Sequence, residues 1–261
     1  MLNIGRLASI AALIAVPFAS RALALEPIHE RCHISVGDRA DTLRLETSES
    51  DCPGRHCGTS QNDIPASRIT GLTLANFAES GSHFTATLAA EAGTFTCAGT
   101  IAENELTGSG EFRPNAEFVS TMGKMGFTGY TSEKLVAYAL LDVGSAWAQS
   151  LQDTGLRGMN SDNLIALHIF KASPEYIHSI TALGYKMPDA DQLIALRVQG
   201  VDPAEVKEIR SLGYEPTFDQ LVQIRIFKIT PEFIRRMQAR GLKNLTLDKL
   251  IQIRIFKLDD D

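Results

Sequence analysis

The sequence predicts an α+β protein, in which a small antiparallel β domain stapled by disulfides precedes a short α-solenoid of helical-hairpin repeats. The β domain is expected in residues 25–115, where short segments of alternating apolar and polar residues lie among all four cysteines. The helical domain is expected in residues 116–261, where one pattern recurs about every 29 residues. Its anchor leucines are Leu135, Leu164, Leu193, Leu221 and Leu250.

Residues 1–24 have the features of a signal peptide. Arg6 supplies a positive start, residues 7–19 are apolar, and Ala22-Leu23-Ala24 is an A-x-A cleavage site. The apolar run is too short for a comfortable membrane span, and no later segment is long and apolar enough for one. We therefore expect a periplasmic or secreted bacterial protein without membrane insertion.

The charge of the chain argues against two classes of partner. The net charge is −6, and removing a leader that holds Arg6 and Arg21 but no acidic residue makes it more negative still. Such a chain lacks the basic surface expected of a nucleic-acid-binding protein. It also lacks a basic amphipathic stretch for anionic lipid. We therefore expect the partner to be a protein.

The cysteines predict two disulfides, because an even number in an exported protein usually forms a disulfide framework. Of the three possible pairings we favour Cys52–Cys57 together with Cys32–Cys97. The alternative is a metal site, since several histidines lie nearby and Cys32-His33 or the residues around Cys52 would offer soft ligands. Neither spacing is a C-x-x-C pair, so we expect disulfides and no metal. The histidines are His29, His33, His56 and His83.

Short strands are predicted at residues 41–47, 83–90, 94–100 and 106–112, where apolar residues alternate with polar ones. Residues 48–67 are rich in Gly, Pro, Asp and Ser and predict a loop, and Glu103-Asn104 predicts a tight turn. Gly108 and Gly110 indicate a bulge or a close backbone approach in the last strand. The chain contains no nucleophile elbow and no H-E-x-x-H motif, so the sequence predicts neither catalysis nor a cofactor.

Each repeat predicts two helices. The first begins with an N-capping residue four positions before the anchor leucine, and an acidic residue follows two positions later, where it complements the helix dipole. The predicted caps are Thr131, Asn160, Asp189, Thr217 and Thr246. The acidic residues are Glu133, Asp162, Asp191, Asp219 and Asp248.

The second helix begins with a capping residue followed by proline, which suits the first helical position. These pairs are Ser173-Pro174, Asp202-Pro203 and Thr230-Pro231. A glycine is then predicted to end the helix in the left-handed conformation, at Gly155, Gly184, Gly213 and Gly241. Residues 117–127 align with 175–185 and predict one more second-type helix upstream, while the repeat at Leu135 is degenerate, with Gly144-Ser145 in place of a cap and proline.

A basic residue recurs four positions after the anchor leucine, at His168, Arg197, Arg225 and Arg254. On a helical wheel it lies at about 40° from the anchor, on the apolar side. In a structural interpretation the stem packs between repeats and the head meets a helix-end carbonyl or a carboxylate, with Glu175 and Glu232 as candidate partners. In a functional interpretation the arginines form a ladder of donors for a carboxylate-bearing partner.

Phe170, Phe227 and Phe256 also recur at one position, and each precedes a lysine. They predict either an exposed aromatic and basic stripe for a partner, or aromatic rings buried between repeats with solvated lysines beside them.

The segment 93–127, GTFTCAGTIAENELTGSGEFRPNAEFVSTMGKMGF, and the repeat 193–214, LIALRVQGVDPAEVKEIRSLGY, carry a resemblance. The mature chain resembles uncharacterised bacterial envelope proteins with a small β domain and helical repeats. The repeats are similar to the tails of some membrane metallopeptidases of the beta-lactam receptor type. Those repeats often read I-H-G-V, whereas this chain reads Val198-Gln199-Gly200-Val201 once and Ile-Phe-Lys three times. The resemblance implies a sensing or scaffolding module of the cell envelope and supplies no catalytic residues.

We therefore predict an exported interaction, scaffolding or sensing module without catalytic activity, in which the arginines and phenylalanines above are the candidate partner-binding residues. The alternative is a small-ligand or metal sensor that uses the Cys/His-rich β domain, and free thiols in the exported protein would favour it. An enzyme of an unrecognised type is a third hypothesis.

Overall fold

The computed structural model of the chain describes residues 25–49, 59–242 and 244–258. It is an α+β fold, as predicted, in which an antiparallel sheet precedes a series of short helices. The buried side chains of the sheet and of the helices belong to one hydrophobic cluster. Within the described part of the chain, none of the helices combines the length and apolar character that crossing a bilayer requires.

The sheet has seven strands in the order β3-β2-β1-β7-β6-β5-β4. Their bounds are β1 Ile28–Val36, β2 Thr42–Glu49, β3 Thr59–Pro65, β4 Ile69–Thr70, β5 His83–Ala90, β6 Gly93–Ala102 and β7 Glu105–Pro114. The two edge strands, β3 and β4, are joined by a single 3-10 turn at Ala66–Arg68. Because so short a connection joins the two edges, the sheet curls until it is nearly closed.

The four predicted strands correspond to β2, β5, β6 and β7. The predicted turn at Glu103-Asn104 is also confirmed, since both residues have positive φ angles (52° and 63°), as a tight hairpin turn between twisted strands requires. Gly110 provides a close approach: a Cβ there would lie 2.7 Å from the Phe95 ring and 3.2 Å from Cys32 Cβ. Pairing of β7 with both neighbours continues in register through this glycine, without a bulge.

The loop prediction for residues 48–67 is wrong where it meets β3. Thr59–Pro65 pairs with β2 and places one apolar side chain, Ile64, in the core. An edge strand of this kind needs few apolar residues, so its polar composition resembles that of a loop. The sequence pattern does not predict β1 either, because His29, Arg31 and His33 on its outer face obscure the apolar alternation of its inner face.

Cys32 and Cys97 form the predicted disulfide. Cys32 lies on β1 and Cys97 on β6, with β7 between them in the sheet, so the bridge crosses a strand at Gly110. Both cysteines are buried. The second predicted pair, Cys52–Cys57, lies outside the described residues and stays a prediction.

The helices alternate between two kinds. The first helices of the repeats are α2 Ser132–Leu141, α4 Asn163–Ile169, α6 Ala190–Val198, α8 Phe218–Ile226 and α10 Leu247–Ile255. The second helices are α1 Ala116–Lys124, α3 Ser145–Asp153, α5 Pro174–Thr181, α7 Pro203–Ser211 and α9 Pro231–Ala239. Along the chain α2 packs on α4, α4 on α6, α6 on α8 and α8 on α10.

The helix ends follow the sequence signals closely. Thr131, Asp189, Thr217 and Thr246 cap first helices by accepting a hydrogen bond from the backbone amide three residues later. The three predicted cap-proline pairs open α5, α7 and α9. The four glycines predicted to end second helices have φ between 83° and 92°, which is the left-handed region.

One predicted start differs. The regular part of α4 begins at Asn163, with Asp162 rather than Asn160 at its N-cap position. The Asn160 carboxamide nevertheless accepts hydrogen bonds from the amides of Asp162 and Asn163, both at 2.9 Å. The capping interaction is therefore present, and the chain turns once before the α-helical hydrogen bonds become regular.

Two side chains from the sheet region hold helix ends. Arg68 donates to the carbonyls of Ala139 (3.0 Å) and Leu140 (3.3 Å) and pairs with Asp142 (3.0 Å), at the C-terminal end of α2. Glu91 accepts hydrogen bonds from the amide (2.9 Å) and hydroxyl (2.7 Å) of Ser145, at the N-terminal end of α3. Each charge complements the dipole of the helix that it meets. Glu91 thus replaces the cap that Gly144 lacks.

Candidate functional site

The basic residues predicted to form a donor ladder lie near the C-terminal ends of the first helices, and we call them the cation row. The row consists of His168, Arg197, Arg225 and Arg254. Its side chains reach back to the preceding repeat. Two of their contacts recur, and both are intramolecular.

The first recurrent contact is to a carbonyl at the end of the preceding first helix. Arg197 Nε donates to the Phe170 carbonyl, at the C-cap of α4, at 2.7 Å. Arg225 Nε donates to the Gln199 carbonyl, at the end of α6, at 3.3 Å. In the last described repeat, Arg254 Nη2 lies 3.5 Å from the Lys228 carbonyl, just past α8. These carbonyls have no partner within their own helix, and cations stabilise them.

The second recurrent contact is to the third residue of the preceding second helix. The guanidinium of Arg197 lies 4.6 Å from the centre of the Tyr176 ring, and that of Arg254 lies 4.5 Å from the Phe233 ring, in cation–π geometry. In the repeat between them the same position holds Glu205, which pairs with Arg225 at 2.6 Å. At this position, an aromatic ring and a carboxylate thus both stabilise the guanidinium group of the next repeat.

Tyr176 combines this contact with a hydrogen bond. Its hydroxyl donates to the Val201 carbonyl at 2.9 Å. Burial raises the pKa of Tyr176 to about 12, and the neighbouring cation of Arg197 partly opposes that shift. The phenol therefore stays protonated and donates throughout the physiological pH range.

His168 also contacts the third residue of the preceding second helix, although its side chain has no permanent charge. Its ring meets Trp147, the third residue of α3, edge to face at 4.8 Å. Burial lowers the pKa of His168; the Asp142 carboxylate and the Leu141 carbonyl oppose this, while Arg68 lowers it further. The imidazole is therefore neutral at pH 7.

These contacts include the helix-end carbonyls and the carboxylate that the structural interpretation predicts, but the partner residues differ from the predicted ones. The sequence suggests Glu175 and Glu232, on the second helices that follow His168 and Arg225. The structure instead directs the contacts backward, to Trp147 and Glu205, because the open helix-end carbonyls lie in the preceding repeat. Glu232 lies 3.8 Å from Arg235 of its own helix.

The three phenylalanines of the predicted aromatic stripe differ in exposure. Phe170 is 37% exposed, Phe256 is 68% exposed, and Phe227 packs against the core. The lysine after each ring lies in the left-handed region (φ 52–54°) and ends the first helix there, as Gly200 does in the repeat that lacks the lysine. These three lysines, Lys171, Lys228 and Lys257, are exposed.

The apolar pattern predicts that Ile226 and Ile255 lie on the core face of their helices, and this is wrong: they belong to a row of exposed aliphatic side chains five residues after the anchor leucines. Each is 46–50% exposed. The open row, as we call it, consists of Ile169, Val198, Ile226 and Ile255. A signal is present in the sequence, because this position lies at about 140° on the wheel, outside the arc that faces the core.

Further partly exposed aliphatic residues lie beside the open row, one position after the anchors, at Ile165, Ile194 and Val222. Row and neighbours lie about 40° apart on the same helix face. Monomeric proteins rarely leave such a continuous apolar strip exposed, and large exposed apolar patches mark binding sites.

In α2 the equivalent face is covered. Val136 and Leu140, at the same two positions, are 5% and 4% exposed. α2 packs on β5, β6 and β7, whereas the later first helices have no strand beside them among the larger packing contacts of the described residues. The open row therefore occupies, in the later first helices, positions that are buried in α2.

The β domain holds one smaller polar arrangement. His33 Nε2 lies 2.6 Å from Glu105 Oε2, and His33 Nδ1 lies 4.0 Å from Glu46 Oε2. Cys32 and His33, the soft ligands of the alternative metal site, point to opposite faces of β1. The Cys32 sulfur is bonded to Cys97 and cannot also act as a thiolate ligand. Among residues 25–49, 59–242 and 244–258, no cluster of His, Cys, Asp and Glu side chains is arranged to hold a metal ion.

A scan against protein-family models and searches of curated proteins and of solved structures found no match to this chain. The similarity to repeat proteins of the bacterial envelope stays a prediction from the sequence.

Proposed function

We propose that the protein is an exported, non-catalytic interaction module, in which a short α-solenoid binds a protein partner through the open row. In this proposal the first helices α4 to α10 form one continuous binding face, and the sheet caps the beginning of the array. Stacked helical hairpins that bury a shared core commonly expose an extended binding surface.

The open row is the observation that carries the proposal. Four aliphatic side chains, one from each successive repeat, are about half exposed at the same helix position. The cation row does not supply the binding donors, because its guanidinium groups already contact carbonyls, rings or a carboxylate of the preceding repeat. Binding through the open row, with Phe170 and Phe256 at its margin, uses apolar surface that no described part of the chain covers.

Two observations support export to the periplasm or the cell exterior. The first 24 residues have the composition of a signal peptide. The buried Cys32–Cys97 disulfide belongs to the kind that forms and persists in oxidising compartments. A mass measurement on the exported protein tests this: we expect loss of residues 1–24 and no free thiol.

A site-specific crosslinking experiment tests the binding face. A photo-crosslinking amino acid replaces Val198 in the open row or, as the matched control, exposed Lys207 on α7. In cells that make the protein, we expect a discrete crosslinked product from position 198 and none from 207. Equal labelling at the two positions, or no product at 198, would overturn the proposed face.

A further inference from the structure

We infer that the partner on the open row is a second copy of this chain, bound face to face in a twofold-symmetric dimer. This inference rests on the proposed function, since it uses the same face and adds the identity of the partner. It follows from the order of charges along the first helices, from the burial of the equivalent positions in α2, and from the size of the apolar strip.

The charges form two rows, one on each side of the apolar strip. At the N-terminal ends of the first helices, two residues before the anchor leucine, lie exposed aspartates: Asp162, Asp191, Asp219 and Asp248. At the C-terminal ends lie the exposed lysines Lys171, Lys228 and Lys257. Along α8 and α10 the charge thus changes from acidic through apolar to basic. In α6 Gly200 replaces the lysine, and in α4 the aspartate, Asp162, already pairs with Lys134 of the preceding repeat at 2.6 Å.

The spacing of these rows is symmetric. The aspartates and lysines lie two residues before and seven residues after the anchor, and the two aliphatic positions lie one and five residues after it. Both pairs are therefore centred about three residues after the anchor. A second copy, rotated by 180° about that centre line, therefore places its basic row against the acidic row of the first copy. Its aliphatic positions then face the apolar strip of the first copy.

Only one of the two face-to-face arrangements satisfies the charges. A twofold axis parallel to the direction in which the repeats succeed one another exchanges the two ends of each helix, so Asp219 of one copy meets Lys228 of the other. An axis parallel to the helices would place aspartate against aspartate and lysine against lysine, and like charges across an interface are unfavourable. A twofold contact is isologous, so each matched pair occurs twice.

The apolar strip suits an interface of this kind. In α2, which packs on the sheet, Val136 and Leu140 at the strip positions are buried, so these positions already form apolar contacts within one chain. Four half-exposed aliphatic side chains with partly exposed neighbours form a strip of the size, about a few hundred Å², that marks interaction sites. The charged rows on either side of the strip add to this area, toward the roughly 800 Å² that each partner buries in a stable interface.

Sedimentation equilibrium of the exported, full-length mature protein tests the inference. We expect a dimer at about 100 μM that weakens when salt is raised from about 0.05 to 0.5 M, because the charged rows are solvent-exposed at their edges. Asp219→Lys and Lys228→Glu should each weaken the homodimer at least about tenfold, since each places two like-charged pairs across the interface. Lys207→Glu, on α7 and outside the face, is the matched control and should leave the dimer unchanged.

Mixing the two variants gives the decisive readout. When Asp219→Lys chains meet Lys228→Glu chains, the introduced lysine of one chain faces the introduced glutamate of the other, and the native Asp219 faces the native Lys228. Both pairs are then again opposite in charge. We expect the mixture to dimerise about as tightly as the wild type, although neither variant does so alone. The double variant in one chain should also dimerise. Circular dichroism and melting curves confirm that each variant is folded.

Three outcomes would overturn the inference: a wild-type monomer at this concentration, a dimer insensitive to either charge reversal, or a mixture that does not recover. The proposed function fails separately. If the crosslinker at position 198 captures a different protein while the chain is monomeric, the binding face stands and the second copy is excluded. If position 198 captures nothing and the chain is monomeric, both fail.

Discussion

α2 and α8 are built alike and used differently. Both begin at a threonine cap, Thr131 or Thr217, and both bury an anchor leucine almost completely. Five residues after the anchor they diverge, because Leu140 is buried, in a helix that packs on the sheet, whereas Ile226 is half exposed. The same helix face is core in one repeat and surface in the other. An aliphatic residue at this position therefore does not reveal whether it is buried or exposed, because that depends on the elements packed around it.

The two regions also differ in how their helix ends are held. The C-terminal end of α2 receives Arg68 from the sheet region, and the later first helices receive an arginine from the next repeat. Next to Arg68 the cation row contains His168, whose pKa is lowered by burial and by Arg68. A second permanent cation at this helix end would be repelled by the first, which explains a neutral imidazole at this position.

Truncating the two equivalent aliphatic residues should give the largest contrast. We expect Leu140→Ala to lower the free energy of unfolding by about 2–4 kcal/mol, because it leaves a cavity at a buried position of α2. Ile226→Ala should cost less than about 1 kcal/mol, since the side chain is half in water. Urea unfolding at a protein concentration that keeps the chain monomeric measures both. Equal losses would mean that the two faces do not differ as described.

The later repeats should depend on their own helix ends and not on the sheet. Gly213 has a φ of 92°, and a Cβ at this position would meet no other atom within 4 Å, so Gly213→Val tests the backbone alone. We expect a loss of more than about 1 kcal/mol, because a β-branched residue resists the left-handed region. The control is Gly123→Ala in α1, where φ is not left-handed and space is also open. It should be neutral or stabilising by up to about 1 kcal/mol. A Gly213→Val protein with unchanged stability would show that Gly213 does not act as a helix end.

The arginines at the two kinds of helix end should contribute equally. Arg68→Ala and Arg197→Ala each remove a charged donor from helix-end carbonyls, and we expect each to cost about 1–2 kcal/mol. Arg68→Lys and Arg197→Lys keep the charge without the planar fork and should recover part of the loss. Chemical unfolding of the four variants checks this. A loss confined to Arg68 would mean that the cation row contributes nothing to the array.

The smallest expected effect is a pH dependence at His168. Its pKa is lower in the folded than in the unfolded chain, so the stability that it contributes is present above the unfolded value of about 6.5 and is lost as pH falls toward the folded value. Wild type should therefore lose more stability between about pH 7.5 and 5.5 than His168→Gln, which does not titrate. Identical pH profiles for the two proteins would contradict a neutral, half-buried His168.

Local signals in the sequence predict the helix ends well, because a cap, a proline or a left-handed glycine acts within one turn. The anchor leucines at 28- or 29-residue spacing likewise predict the alternation of first and second helices. Cys32–Cys97 belongs to the favoured one of three possible pairings. In each of these cases the residues that determine the structure are close in the chain or few in number.

What the sequence does not predict depends on neighbours that only the fold supplies. β1 and β3 are strands because β2 and β7 pair with them, although β3 contributes a single buried aliphatic residue, Ile64. The direction of the Arg225 side chain follows from open carbonyls in the preceding repeat. The open row escapes prediction because Leu140 and Ile226 occupy the same position of the pattern, and only their surroundings in the fold distinguish them.

The contacts of the cation row make the repeat units interchangeable. Every junction offers the incoming side chain a backbone carbonyl, which is independent of sequence, and a ring or carboxylate at one fixed position, as at Tyr176 and Glu205. If one whole unit were removed by an in-frame deletion, Arg225 would meet the Phe170 carbonyl and Tyr176 and would again be satisfied. An array of this kind can gain or lose units in evolution without leaving an unpaired charge at the new junction, so its length is free to change.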